Sequence, residues 1–376
     1  MGAITRGIAN NILGNGAVDG TDALTGTIPA TNIGNPSLAN LTTFPPSVDA
    51  GIPQVAGDPP APSDGDVWYN TNTYKLRVRG LSATAGSWAT GTSINTARHL
   101  TGASNNGTQT AVTLFGGQTP TVTGATESWN GTSWTEVNDM NTARSYHGSS
   151  GTSTAALAIG GYISPNNVQN VETWNGTNWT EVADVPTNRV QSSGDNGTQT
   201  STISYGGYNY GIPGPDNDTE TWNGSAWTEV ADLNTARYYL AGVGADSTDA
   251  LAVGGTIPGT PEYSPATESW NGSAWTEVGD LNTARNNLNG SGHISTSAVV
   301  AGGSITGVSN NVFTEFWNGT SWTEVGDLNI GARAGTSAGT STAGIYIGGS
   351  RGDPSSITAD VEEWNGGAAN LNVDLA

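Results

Sequence analysis

Ala155-Ala-Leu-Ala-Ile-Gly-Gly161, followed by Val171-Glu-Thr-Trp174-Asn-Gly-Thr-Asn-Trp179-Thr-Glu-Val182, is the stretch from which the rest of the chain is read. The first run is short, apolar and stopped by two glycines. The second alternates, with Val171 and Thr173 on one face and Glu172 and Trp174 on the other, as an extended strand does. Asn175-Gly176 then leads into a further run that starts at Trp179. Asn-Gly between alternating runs is a hairpin signal, and the two-residue form of that hairpin needs positive φ at both turn positions. Upstream, Arg144 precedes residues 145–149, which read as one more strand. The unit therefore predicts four short strands, at 145–149, 155–161, 171–174 and 179–182, without helical periodicity.

The unit recurs six times. Glu-x-Trp-Asn-Gly places its indole at Trp129, Trp174, Trp222, Trp270, Trp317 and Trp364, in steps of 45 to 48 residues. A second Trp lies five residues on at Trp134, Trp179, Trp227, Trp275 and Trp322. A segment of the Asn-Thr-Ala-Arg type ends at Arg98, Arg144, Arg189, Arg237, Arg285 and Arg333, and each is followed by an apolar run into Gly-Gly. Four strands per unit with a period in the forties is the pattern of a propeller blade. The last unit lacks its second Trp, while Ser87-Trp88-Ala-Thr-Gly-Thr92 stands unmatched at the front. That strand is expected to complete the blade containing Trp364, closing the ring and removing exposed sheet edges. The expected fold is all-β, a six-bladed propeller of four-stranded blades closed by an N-terminal strand.

The order of Arg, apolar strand, Gly-Gly, aromatic strand and Trp resembles the kelch-repeat β-propeller over residues 87–367, although Trp-Asn-Gly-Thr-x-Trp is more compressed than the usual kelch spacing. The resemblance implies the architecture. It also keeps open a ligand-facing role for the repeated Arg. From the residues themselves, the six Arg read in two ways. They tie to the Glu of Glu-x-Trp within or between blades, or they form a ring of cations at one mouth. The twelve repeat Trp read as inter-blade core. The Gly-Gly pairs read as strand ends needing positive φ or close approach.

Composition narrows function. The 376 residues carry a net charge of −21, with Lys75 the only lysine, so backbone-driven nucleic-acid binding is not expected. Absence of Cys excludes disulfides, thiolate zinc sites and the kelch-type oxidase built on a Tyr–Cys cofactor with copper. Apolar runs are a few residues long, so no membrane insertion is expected. Leu, Ile, Val and Phe number only 63, a share that with this charge borders on disordered composition; the Trp array argues otherwise. His99, His147 and His293 sit at unequal offsets after the Arg of three units and do not read as a metal site. Asp216-Asn-Asp218 and Arg351-Gly-Asp353 read as turns. No cofactor, metal or catalytic residue is expected, and the chain does not read as an enzyme.

Between copies, the loop after Gly-Gly varies while the framework repeats. In an up-and-down blade this loop shares a face with the inter-blade connections, and variable loops on a rigid scaffold are how binding surfaces are built. Tyr162, Tyr208, Tyr210, Tyr238, Tyr239 and Tyr263 are the candidate ligand contacts.

Residues 1–63, rich in Gly, Thr and Pro, read as an extended attachment arm and linker. Residues 64–86 read as a β-hairpin connector around Gly65-Asp-Val-Trp-Tyr-Asn70 and Tyr74-Lys-Leu-Arg-Val78, and residues 368–376 as a tail. No signal peptide is expected at Met1-Gly-Ala-Ile-Thr-Arg-Gly-Ile-Ala-Asn10. The hairpin resembles segments of bacteriophage tail-fibre and other virion proteins, and residues 1–12 resemble the starts of marine-phage virion proteins. That resemblance implies a structural protein at the particle surface or tail. Its arm would bind other virion proteins, and its propeller would recognise a host-surface glycan or protein. Assembly as a homo-oligomer would be ordinary for such a protein, but the residues do not specify it. The alternatives are a purely structural decoration or tail-assembly protein and a secreted glycan-processing enzyme.

Overall fold

The computed structural model describes residues 54–56, 67–70, 72, 75–78, 82–83, 86–190, 194–209, 214–257, 263–351, 356–366 and 368–369. The chain divides into two units, Ala85–Gly367 and Met1–Thr84 with Ala368–Ala376. The predicted arm, residues 1–63, lies outside the described residues except for 54–56. In the smaller unit Val67–Asn70 pairs antiparallel with Lys75–Val78 and parallel with Gln54–Val55. Ala368–Ala369, expected in a tail, pairs with Ser82–Ala83.

The larger unit is a six-bladed β-propeller of four-stranded antiparallel blades, and the described residues contain no helix. Blade 1 is Gly102–Ala103, Val112–Phe115, Thr126–Trp129 and Trp134–Val137. Blade 2 is Gly148–Thr152, Ala155–Ile163, Asn166–Trp174 and Trp179–Val182. Blades 3, 4 and 5 repeat the order from Gly194–Thr198, Ala241–Asp246 and Asn289–Ile294. Blade 6 takes three strands from Thr336–Gly339, Ala343–Ile347 and Val361–Asn365, and its fourth, Ser87–Thr90, from the front of the propeller. Trp364 pairs with Trp88 there as Trp129 pairs with Trp134, so the ring closes as the sequence predicts. The first strand of each blade abuts the first strand of the next, all the way round the axis.

The apolar shortfall is resolved by distribution. Six hydrophobic clusters lie one at each junction between consecutive blades, rather than in one central core. Small residues such as Ala156 and Ala158 let sheets approach, and the indoles fill the space between. Within each blade the two Trp rings lie 5.2 to 5.4 Å apart and tilted. The inner indole donates to the first hairpin of its own blade, as Trp317 does to the Ser295 carbonyl at 2.9 Å. The outer indole reaches the preceding blade. Trp179, Trp275, Trp322 and Trp88 donate to the hydroxyls of Thr126, Thr219, Thr267 and Thr314 at 3.0 to 3.2 Å. Trp88→Phe keeps most of the buried area but strands the Thr314 hydroxyl. Urea unfolding is expected to show a loss of about 1–2 kcal/mol.

Two local readings are corrected. The first strand of blade 2 begins at Gly148 rather than residue 145. Tyr146 adopts φ 53°, which breaks the extended chain between Arg144 and the strand. The Asn-Gly turns are four-residue loops in which only the Gly has positive φ, 87° at Gly131 and Gly176. The Asn holds the loop with its side chain, Asn130 Oδ1 accepting the Thr132 and Ser133 N–H groups at 2.9 Å. The Gly-Gly pairs do take positive φ, for example 65° and 105° at Gly254 and Gly255, where backbone carbonyls crowd the Cβ position.

Candidate functional site

The loops after Gly-Gly and the inter-blade connections share one face. They pair directly, at His99–Gln118, Ser145–Tyr162, Tyr238–Thr256 and Asn286–Ser304. Beneath this face lie the repeated Arg. Arg98, Arg144, Arg237 and Arg285 have no exposed surface and each pairs with the Glu of its own blade, Glu127, Glu172, Glu268 and Glu315. The set around Glu315 shows the device. Its Oε1 accepts Arg285 Nη2 at 3.0 Å, and its Oε2 accepts both the backbone and side-chain N–H of Asn282 at 2.8 Å. Arg285 Nη1 also donates to the Phe313 carbonyl at 2.6 Å. Burial lowers the pKa of these guanidinium groups, that of Arg144 to about 10, against the opposing pull of the paired carboxylates. They remain charged at neutral pH and tie the connection to the third strand. They do not form a ring of cations offered to solvent. The side chain of Arg189 lies outside the described residues.

Blade 6 departs from the expected repeat. Ala332 occupies the place of the other Arg, its carbonyl accepting the Gly303 N–H as the Arg285 carbonyl accepts that of Gly255. Arg333 stands one position on, in the register of Tyr238, and is half-buried. The missing guanidinium comes from Arg351, which ion-pairs with Glu362 and is itself buried. Arg351, read from the sequence as part of a turn, is thus a buried ion-pair partner; Gly352 and Asp353 lie outside the described residues.

At the axis this face is drawn together by a series of backbone bonds that joins five of the six blades. Leu100, Tyr146, Tyr239, Asn287 and Ala334 hold equivalent positions, all with φ between 51° and 56°. Tyr146 N–H donates to Leu100, Leu100 to Ala334, Ala334 to Asn287 and Asn287 to Tyr239, at 2.8 to 3.2 Å. These residues border a cavity of about 60 Å³. Deeper along the axis lies a polar cavity of about 90 Å³, bordered by Asn105, His147 and Asp195 among others. At the far mouth the first hairpin of blade 1 crosses the axis. Asn106 Nδ2 donates to the Ala245 carbonyl of blade 4 at 3.0 Å, and His293 Nε2 of blade 5 donates to the Gly107 carbonyl at 3.0 Å.

The described candidate tyrosines fall on the loop face, and four of them join through one that sequence reading missed. Tyr162 meets Tyr146 at 6.4 Å, Tyr146 meets Tyr239 at 6.5 Å, Tyr239 meets Tyr238 at 4.9 Å and Tyr238 meets Tyr208 at 5.3 Å, centroid to centroid. All five are half-buried. Tyr146 stands two residues after Arg144, as Tyr239 does after Arg237, and that register was its available signal. Tyr263 bridges to Thr256 in blade 4 and is half-buried. Tyr210 lies outside the described residues. Asp216 forms a turn, its Oδ1 accepting the Asp218 N–H at 3.0 Å.

The three His do not converge. His99 stands in the connection into blade 1, His147 lines the axis and His293 reaches the far mouth. Among the described residues no three His, Asp or Glu side chains group as metal ligands, and no helix is long and apolar enough to cross a membrane.

No family model matches the chain, and no curated protein matches it. Among solved structures, one titled "Structure of YjhT" aligns with a TM-score of 0.59 over 72% of this chain and 96% of that one, at 12% identity. At that identity the likeness is one of fold, and it supports the six-bladed propeller reached from the blades themselves.

Proposed function

We propose that this chain is a bacteriophage virion protein, in a tail fibre or surface appendage, whose propeller of divergent kelch-type blades recognises a host surface by binding without chemistry. The observation that carries the recognition reading is the continuous line of five tyrosines across blades 2 to 4, on the face where the loops differ between repeats. Aromatic rings on rigid strand ends supply contact area at little entropic cost. The virion reading rests on the likeness of residues 1–12 and 65–79 to virion proteins, and residues 1–63 would be the attachment arm. Full-length labelled protein is expected to bind cells of a subset of strains in a bacterial panel, and Tyr208→Ala with Tyr238→Ala to reduce retention at least fivefold with an unchanged melting temperature. Immunogold labelling of phage particles is expected to place the chain at the surface or tail. Surface labelling without cell binding would leave the decoration or assembly role in its place.

A further inference from the structure

Building on that recognition reading, we infer that the tyrosine line takes an uncharged, unbranched polysaccharide laid across blades 2 to 4, rather than a single sugar or a protein loop. The cavities bordered by described residues at the axis are small. The two axial spaces, of about 60 and 90 Å³, are far below the roughly 300–1,000 Å³ of small-molecule sites. The series of backbone bonds from Tyr146 to Tyr239 draws in one mouth, and Asn106 crosses the other. The loop face is therefore the surface that the described residues offer to a ligand.

That surface offers rings in series. Successive planes are inclined by 81°, 40°, 50° and 75°, so none of these four contacts is a face-to-face stack. Sugar rings present flat C–H faces to such aromatics, and their hydroxyls suit the neighbouring Asn and Thr side chains. A protein partner would be anchored by a side chain in a desolvated pocket, and the space that Tyr146 and Tyr239 border is about 60 Å³. The exposed large aliphatics Ile294, Val308 and Ile330 belong to blades 5 and 6, away from the line. Charge selects further. A chain of net charge −21 with one lysine repels polymers bearing uronic acid or phosphate. Tyr146 and Tyr239 are also pre-set, held in the left-handed region by the axial backbone bonds. The same conformation recurs at Leu100, Asn287 and Ala334, so it belongs to the blade repeat, and at the two tyrosines it fixes the backbone before a ligand arrives.

The test uses the full chain on an array of purified O-antigen and capsular polysaccharides, neutral and acidic, and then on oligosaccharides of one to six units cut from a bound polymer. The key variant is Tyr146→Asn with Tyr239→Asn. Asn is native at the equivalent Asn287 with φ 51°, so the backbone bonds are kept while the aromatic rings are lost. Expected are binding to neutral unbranched polymers, at least a tenfold gain in affinity from one to four sugars, and at least a tenfold loss in the double variant at unchanged melting temperature. Binding only to acidic polymers, affinity flat with length, or an unaffected double variant would overturn the inference. Retention on whole cells that is abolished by protease, with no polysaccharide bound, would overturn it while the recognition reading stands. Binding to neither cells nor polysaccharides would end both.

Discussion

Arg351→Ala is expected to cost the propeller about 3–5 kcal/mol in urea unfolding, because it leaves the Glu362 carboxylate buried without its cation. Arg333→Ala, at the position the repeat pattern nominates, is expected to cost clearly less, because Arg333 is half-buried and the Glu362 carboxylate keeps its Arg351 partner. The contrast has a rescue arm. Ala332 holds the place from which Arg237 and Arg285 reach their Glu partners. Ala332→Arg with Arg351→Ala should therefore return most of the lost stability by bringing the guanidinium to Glu362 from the connection. Equal losses for Arg351→Ala and Arg333→Ala, or no recovery in the double variant, would show that Glu362 does not depend on Arg351 in this way. The stakes are higher in blade 6 than elsewhere. Glu362 lies within the strand that pairs with Ser87–Thr90, opposite Thr90, the contact that closes the ring.

His147 is expected to make the protein acid-sensitive over a defined window. Its ring is buried, stacked at 5.5 Å on Phe115, with Nδ1 donating to the Gly148 carbonyl at 3.1 Å. Burial, assisted by the Arg144 guanidinium, lowers its pKa to about 4 from an ordinary 6.5. The unfolded chain therefore binds the proton first. Stability is full above about pH 6.5 and falls as pH drops toward 4, by about 3 kcal/mol over that range. Asp195 of blade 3 lies against Gly148 on the facing strand, and it is present in both proteins compared. Leu240 and Leu288 occupy the equivalent place in blades 4 and 5, packing on Gly206 and Gly254 as His147 packs on Gly116. His147→Leu should thus fold normally and lose this slope. Unfolding free energies at pH 7, 5.5 and 4.5 measure it. Wild type and variant curves that stay parallel would assign the acid sensitivity, if any, to other groups.

Much of the architecture was legible because a propeller repeats one local problem six times. Glu-x-Trp-Asn-Gly, the second Trp and Gly-Gly each answer a requirement within a few residues of themselves, so their spacing carries strand number, blade number and closure. The candidate site was less legible. Tyr162, Tyr208, Tyr238 and Tyr239 stood out as variable aromatics on the loop face, but Tyr146 was passed over as part of a strand. Its membership follows from a backbone conformation and a cross-axis meeting with Tyr239. The Asn-Gly loops misled for a related reason. The dipeptide marks a hairpin, while the Asn130 side chain, not a second positive φ, sets its length.

By itself the sequence determined the all-β class, six blades, the completion of the last blade by the strand at Trp88, and the face on which the variable loops gather. All of these follow from period and strand alternation, which are properties of neighbouring residues. Tertiary structure alone decided that Arg351 rather than Arg333 serves Glu362, that backbone bonds narrow one axial mouth while Asn106 and His293 span the other, and that five tyrosines from three blades form one line. Those outcomes depend on where a long side chain can reach and which loops meet across the axis. Residues far apart in the chain settle them by distance and burial, and a linear pattern does not carry that information.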